Sequence, residues 1–372
     1  AAVVADAKVS EEALAGAVAK AGYRAIVDAK RPLEGERQVP RSEGADFDLM
    51  TIGGGSAAFA AAIKAAELGA RVAIVEEGTI GGTCVNIGCV PSKTLIKAAE
   101  ICYTAAYSNF EGMTACPPPS DWQRVVIQKD ELVAALREEK YIKVLQAYPA
   151  ITLLRGRAQL TGRRGVRVNG QAYTPGKMLV ATGSRPWAPP IPGLAEAGYL
   201  DSTDALSLPA LPQTLIVIGG GSIGLELGQL FARFGVRVTL LETLPHIAAA
   251  EEPEISGALA KYLTAERMTV LTGAKIGRVE RTSDEYRVHL ERDGAKQTLA
   301  ADQLLITTGR RANTQGFGLE GAGVTLGRRG EIRVDSHLRT ENPEIFAAGD
   351  CIGDPCSSTS PPMPGNSRRR MR

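Results

Sequence analysis

An α/β protein with two Rossmann-like domains is the fold this sequence predicts, and three observations predict it. Residues 47–55, Phe-Asp-Leu-Met-Thr-Ile-Gly-Gly-Gly, form a short apolar strand running into a glycine turn, and Leu215-Ile-Val-Ile218 runs into a second such turn at Gly219. A helical stretch and another apolar strand follow each turn. In both units an acidic residue then ends that strand 23 residues after the first glycine, near the offset of about 20 where an acid accepts hydrogen bonds from ribose hydroxyls. The duplication argues for two nucleotide sites; one working site beside one structural unit is the competing reading. With 372 residues, 44% of them hydrophobic and 41 of them glycine, the chain is long enough for two or three domains.

Taken in order, residues 1–28 read as a strand, a helix capped by Ser10 and a second strand at 23–27, and residues 29–45 read as a polar linker carrying two prolines. The first unit holds Gly53-x-Gly55-x-x-Ala58, a helix to about Leu68 and a strand ending in Glu76. Its glycines permit a tight turn and let backbone amides approach a pyrophosphate at the helix N-terminus. Met178-Leu-Val-Ala-Thr-Gly183 then reads as a strand returning to the first sheet. The second unit holds Gly219-x-Gly221-x-x-Gly224, a helix to about Phe234 and a strand ending in Glu242. Residues 273–300 alternate apolar and polar side chains, as antiparallel strands do, which makes His289 a strand surface residue rather than a ligand. Leu304-Leu-Ile-Thr-Thr-Gly309 repeats the strand that ends in Thr-Gly.

Between the two units lies Gly81-Gly82-Thr83-Cys84-Val85-Asn86-Ile87-Gly88-Cys89-Val90-Pro91-Ser92-Lys93. A C-x4-C pair opening a helix can bring both sulfurs within disulfide distance, and a helix N-terminus lowers thiolate pKa. Electron transfer through sulfur is the chemistry this pattern suggests. A structural disulfide or half a zinc site competes with it, although no second cysteine or histidine pair follows at zinc spacing. Six cysteines without a recognisable signal peptide suit a reducing cytoplasm, and Cys102 and Cys116 read as ordinary thiols.

Charge excludes other classes. The net charge is +2, and residues 351–372, with four arginines and one aspartate, carry more positive surplus than that. No basic face points to nucleic acid, and no apolar run of about eighteen residues points to a membrane span.

The dithiol string, the two fingerprints and Thr340-Glu-Asn-Pro-Glu-Ile-Phe-Ala-Ala-Gly-Asp350 together resemble the flavin disulfide reductases over residues 46–350. That resemblance implies a glutathione reductase-type fold with an FAD domain at 46–195 and 313–355 around an NAD(P) domain at 196–312. It implies FAD at Gly53, Gly55, Ala58, Glu76, Gly82, Thr83, Gly183 and Asp350, whose carboxylate would contact the ribityl chain. NAD(P)H would take Gly219, Gly221, Gly224, Glu242 and Gly309. Cys89 would be the charge-transfer thiolate beside the flavin and Cys84 the outer thiol that meets substrate. Lys93 would point at the flavin and pair with Glu226, tuning the cofactor's electronics.

Within that group, the stretches 140–156 and 191–206 resemble the mercuric reductases, and residues 1–28 resemble the closing half of a heavy-metal-associated domain without its CxxC. The resemblance implies reduction of mercuric ion, delivered as a thiol complex, to elemental mercury. Soft thiolates suit a soft cation, so Cys84 and Cys89 would be the metal-binding pair. A dihydrolipoyl dehydrogenase-like disulfide reductase and an inactive truncated flavoprotein are the alternatives. Glu242 argues for NADH by repelling a 2′-phosphate, whereas mercuric reductases commonly use NADPH. The group is homodimeric through a C-terminal domain that also carries a His–Glu pair. This chain ends 22 residues after Asp350, and His246, His289 and His337 are its only histidines. The expectation is a missing dimerisation domain, impaired metal reduction and a disordered tail at 356–372, the last produced by a frameshift near Pro355.

Overall fold

The computed structural model describes residues 41–107 and 121–353. The expectations for residues 1–28, most of the linker, Cys116 and the tail lie outside the described residues.

Along the chain, strand β1 (Leu49–Ile52) leads through the first glycine turn into helix α1 (Ser56–Glu67) and strand β2 (Val72–Glu76). The dithiol segment forms a short helix α2 (Gly82–Asn86) and a long helix α3 (Cys89–Ala106). Helix α4 (Trp122–Arg137) runs into a π-turn at Glu138–Ile142, and strand β3 (Ile151–Arg155) follows. Strands β4 (Ala158–Thr161), β5 (Gly165–Val168) and β6 (Gln171–Tyr173) form an antiparallel meander before β7 (Lys177–Val180) and β8 (Ser184–Pro186). The second unit comprises β9 (Thr214–Ile218), α5 (Ser222–Arg233), β10 (Arg237–Leu241), α6 (Pro253–Ala265) and β11 (Thr269–Leu271). The antiparallel trio β12 (Lys275–Arg281), β13 (Tyr286–Arg292) and β14 (Ala295–Ala301) precedes β15 (Gln303–Ile306), β16 (Arg310–Ala312) and β17 (Ile345–Ala347).

Two parallel sheets organise these elements. The first has the order β17-β7-β1-β2-β3 and the second β11-β10-β9-β15. Their central strands are buried along nearly their whole length, as a parallel sheet covered on both faces requires. Each buried Val, Ile or Leu there contributes roughly 1.5–3 kcal/mol. The α/β class with two Rossmann-like units is therefore the observed fold, and the expected antiparallel crossing over 273–300 is β12–β14. Val279, Tyr286, Val288 and Leu290 of that trio pack on Ile216, Ile218 and Leu304 of the second sheet. The β4–β6 meander was not expected. Its Ala158, Leu160, Val166 and Val168 cover the first sheet on the face of Met50, Ile52, Met178 and Val180.

In each sheet the chain order reverses beside the first strand of the unit, between β1 and β7 and between β9 and β15. A crevice opens at such a switch point, beyond the carboxyl ends of the strands. Each crevice begins with a glycine that only glycine can occupy: Gly53 has φ +107° and a Cβ there would lie 2.3 Å from the Ala181 oxygen, while Gly219 has φ +114° and would meet the Thr307 oxygen at 2.7 Å.

The dithiol helix α3 packs on α5, the fingerprint helix of the second unit. Leu95, Ala99 and Cys102 join Leu227, Leu230 and Phe231 in one buried cluster. Near the start of both helices Lys93 pairs with Glu226, and further on the Arg233 guanidinium lies 5.1 Å over the Tyr103 ring. Contacts that advance together along both chains mean that the helices run parallel. The N-terminus bearing Cys89 and the N-terminus following Gly221 are thus at the same end of the pair. Arg233 is itself held by Glu266 through two bonds of 2.7 Å, with side chains only 18% and 13% exposed, so its guanidinium has one place to be.

Candidate active site

The first crevice is the mouth of a cleft of 1410 Å³, above the usual range of about 300–1,000 Å³ for small-molecule sites. Gly53, Gly55, Glu76, Gly82, Thr83, Gly183 and Asp350, all of them expected at a cofactor site, line it, and so does Cys84, expected as the outer thiol that meets substrate. The lining also includes an apolar face of Ala57, Ala61, Leu179 and Phe346.

Glu76 is fixed by its own backbone. Its Oε2 accepts from the Gly54 amide at 2.6 Å and its Oε1 from the Gly78 amide at 2.7 Å, so the carboxylate is set at the strand end with lone pairs left for a ligand's hydroxyls. Glu242 repeats the arrangement, accepting from Gly220 at 2.7 Å and from Leu244 at 2.8 Å. The two units share one design down to which glycine amide the acid holds.

Helices α1 and α5 begin at Gly55 and Gly221, neither of which supplies a capping side chain, and neither helix has an acidic residue in its first turn. Their leading amides are left for an anion. A Cβ on Gly221 would meet no atom within 4 Å, which marks open space in front of those amides. On Gly82 a Cβ would lie 2.7 Å from Gly55 Cα, so the dithiol segment and the phosphate turn touch backbone to backbone. Ala58 and Gly224 work behind the turns: Ala58 is fully buried against Leu179 and Ala181, and a Cβ at Gly224 would strike the Gly219 oxygen. These features fit an FAD in the first crevice and a nicotinamide dinucleotide in the second.

Cys84 lies in the cleft wall, half-buried, and Cys89 opens α3 exposed to solvent; both are free thiols, near enough for Cys89 to bear on the Cys84 thiol. The expectation that a helix end lowers thiolate pKa does not hold at Cys84. Burial, then the hydrogen bond to Cys89, holds its thiol above the usual value, and the Asp350 carboxylate adds to this. The Cys89 backbone amide pulls the other way, but a single amide does not offset the lost hydration.

Lys93 and Glu226 pair as expected, with side chains 56% and 44% exposed, and neither lines the cleft. An ion pair so open to water contributes little to stability. Gly309 has φ +130° and joins β15 to β16. His289 sits on strand β13 of the antiparallel trio as expected, its Nδ1 2.9 Å from Thr298 Oγ1.

Several residues escaped the sequence reading. Ser184 Oγ donates to Asp350 Oδ2 at 2.8 Å and accepts from Arg310 Nε at 2.8 Å. Each of these two residues directly follows one of the repeated Thr-Gly pairs, a signal that was available. Tyr141, in the π-turn, packs edge-on against Phe59 at 4.8 Å and places its hydroxyl 3.3 Å from Ser56 Oγ at the start of α1. Cys351, beside Asp350, is fully buried with its Sγ on the Val180 and Ala348 carbonyls.

Burial pushes the Cys351 thiol from 9.0 up to about 11. A folded pKa raised above the unfolded one contributes stability below about pH 9 that is lost as pH rises toward 11. Urea unfolding between pH 8 and 11 should therefore show a loss of roughly 2–3 kcal/mol that Cys351→Ala reduces.

Two crevices at two switch points, with a dithiol packed between them, define a dinucleotide-dependent dithiol oxidoreductase fold. The chain belongs to the pyridine nucleotide-disulphide oxidoreductase family, which it matches over residues 47–368. Members of this family use FAD and NAD(P)H. The mercuric reductase of Staphylococcus aureus is 43% identical over 333 residues, 90% of this chain and 60% of that protein. The mercuric reductase of Bacillus cereus is 44% identical over 310 residues, covering 83% and 49%. Among solved structures, the HOCl-induced flavoprotein disulfide reductase RclA from Escherichia coli superposes with a TM-score of 0.74 at 33% identity, covering 82% of this chain and 66% of that one. The chain thus spans about half to three fifths of the two mercuric reductases.

Proposed function

We propose that this chain carries the FAD site, the NAD(P)H site and the redox dithiol of a mercuric reductase, with Hg(II) as substrate. The observation that carries the reading is the pair Cys84–Cys89, with Cys84 in the wall of the first crevice and Cys89 opening α3 at the same end of the parallel α3/α5 pair as the second. When bound, FAD and NAD(P)H supply the electron pair that turns Hg(II) into Hg(0).

The chain's own residues do the rest. Glu76 and the α1 N-terminus hold one dinucleotide, and Glu242 and the α5 N-terminus the other. Two thiols in contact give up two protons and clasp a soft, two-coordinate cation as a dithiolate. Cys84 is half-buried and its thiol is held above its usual value, so the clasp closes only when that thiol too gives up its proton. The Glu242 carboxylate, its place fixed by two amides, favours NADH over a 2′-phosphorylated coenzyme. The division into an FAD domain (46–195 and 313–355) and an NAD(P) domain (196–312), homodimerisation and a cytoplasmic location belong to the same proposal. Among the described residues no helix is long and apolar enough to cross a membrane.

The likeness to RclA supports a second reading, in which the same dithiol exchanges with a substrate disulfide. One experiment separates them. The purified chain is expected to retain flavin and, once reduced, to bind one Hg(II) per chain, seen as thiolate-to-mercury absorbance in the ultraviolet. Coenzyme oxidation is then compared with mercuric ion plus thiol, lipoamide and oxidised glutathione. Mercury binding with mercury-stimulated oxidation supports the reading; oxidation driven by a disulfide and untouched by mercury overturns it.

A further inference from the structure

The Ser184–Arg310 pair forms a polar chain that ends at Asp350. The Arg310 guanidinium is a donor only, and an aspartate carboxylate is an acceptor only. The Ser184 hydroxyl between them therefore has one possible orientation: its lone pair takes the Arg310 Nε proton at 2.8 Å and its own proton goes to Asp350 Oδ2 at 2.8 Å. Arg310 also donates from Nη2 to the Ser184 carbonyl at 2.7 Å, gripping that residue at two points. Ser184 is only 6% exposed, so water does not compete for these bonds. The backbone adds a constraint, because β8 and β16 pair antiparallel, with Ala312 opposite Ser184 and Pro186 opposite Arg310.

Asp350 lies in the cleft wall, and among the described residues nothing donates to its Oδ1. One carboxylate oxygen is thus tied down from within the protein while the other is left to a ligand. Arg310 begins β16, one residue after the Gly309 that ends the Thr-Gly strand of the second unit, whereas Asp350 belongs to the first crevice. The polar chain therefore runs from the end of one unit into the site of the other.

We infer that Ser184 and Arg310 are positioning residues for the cofactor of the first crevice: they fix the Asp350 carboxylate in the one rotamer that offers Oδ1 to a ligand hydroxyl. Removing the serine hydroxyl leaves Asp350 free to turn and leaves Arg310 Nε without its acceptor. Removing the guanidinium frees the hydroxyl to reorient. Neither residue need touch the ligand. This inference rests on the reading that the first crevice takes FAD.

The test is titration of flavin-free protein with FAD, followed by the change in flavin fluorescence, with thermal unfolding of the same flavin-free samples alongside. Ser184→Ala and Arg310→Met are each expected to weaken FAD binding about tenfold, the scale of one hydrogen bond to a charged group. Ser184→Thr, which keeps the hydroxyl, is expected to restore binding to within about threefold. If Ser184→Ala does not fold, Arg310→Met and Ser184→Thr decide the matter. Flavin uptake equal to that of the unaltered chain in both Ser184→Ala and Arg310→Met overturns the inference alone. So does a loss of binding that Ser184→Thr shares in full. Failure of the unaltered chain to take up FAD overturns the cofactor reading, and this inference falls with it.

Discussion

Cys84→Ser and Cys89→Ser will each lower turnover with the physiological acceptor by about 10³-fold or more, while flavin retention and coenzyme-driven reduction of a dye continue. A serine hydroxyl does not ionise near neutral pH and binds soft metal poorly, so either change removes one half of a clasp that functions only as a pair. Losses of that size are usual when one member of a reacting unit is deleted, and the double variant should be little worse than the singles. Mercury titration is the direct check: the one-per-chain site should vanish in both variants, and a serine variant that keeps it would remove the dithiol from the mechanism. The pH dependence has a definite sign. Because burial and Cys89 hold the Cys84 thiol up, the doubly ionised pair forms only as pH rises, and the rate of mercury capture should climb through the alkaline range.

Gly53→Val and Gly221→Ala will separate architecture from ligand binding. At Gly53 the left-handed backbone and the Ala181 oxygen both oppose a side chain, and the Ala181 oxygen belongs to the backbone that continues β7, which cannot give way cheaply. Strain and clash together should cost about 3–5 kcal/mol and abolish flavin uptake. At Gly221 the backbone is ordinary, with φ −79°, and an added methyl meets nothing. Gly221→Ala should cost less than about 1 kcal/mol, the scale of an N-cap change, yet raise KM for the reduced coenzyme about tenfold or more because the methyl occupies the space before the α5 amides. Urea unfolding and coenzyme kinetics on both variants check this; equal destabilisation by the two would refute the distinction.

Local chemistry was legible in the chain. A strand–glycine–helix–strand–acid unit is written within about 30 consecutive residues, and Glu76 and Glu242 lie where that spacing puts them. Lys93 and Glu226 were paired through a family likeness rather than through periodicity, and they do meet. The β4–β6 meander was missed because its strands are three or four residues long, too short for alternation to stand out. Ser184 and Arg310 were missed although each follows a repeated Thr-Gly pair, since a spacing of 126 residues carries no local sign of contact.

By itself, then, the sequence determined the two strand–glycine–helix–strand units, the acids at their strand ends and the thiol pair between, because each depends on backbone turns and periodicities that neighbouring residues dictate. Only the tertiary structure decided that α3 and α5 run parallel, that Cys84 is the thiol held protonated and that Ser184 and Arg310 hold Asp350. Those outcomes depend on which surfaces meet and how much water they exclude, and such quantities exist only once distant segments have packed.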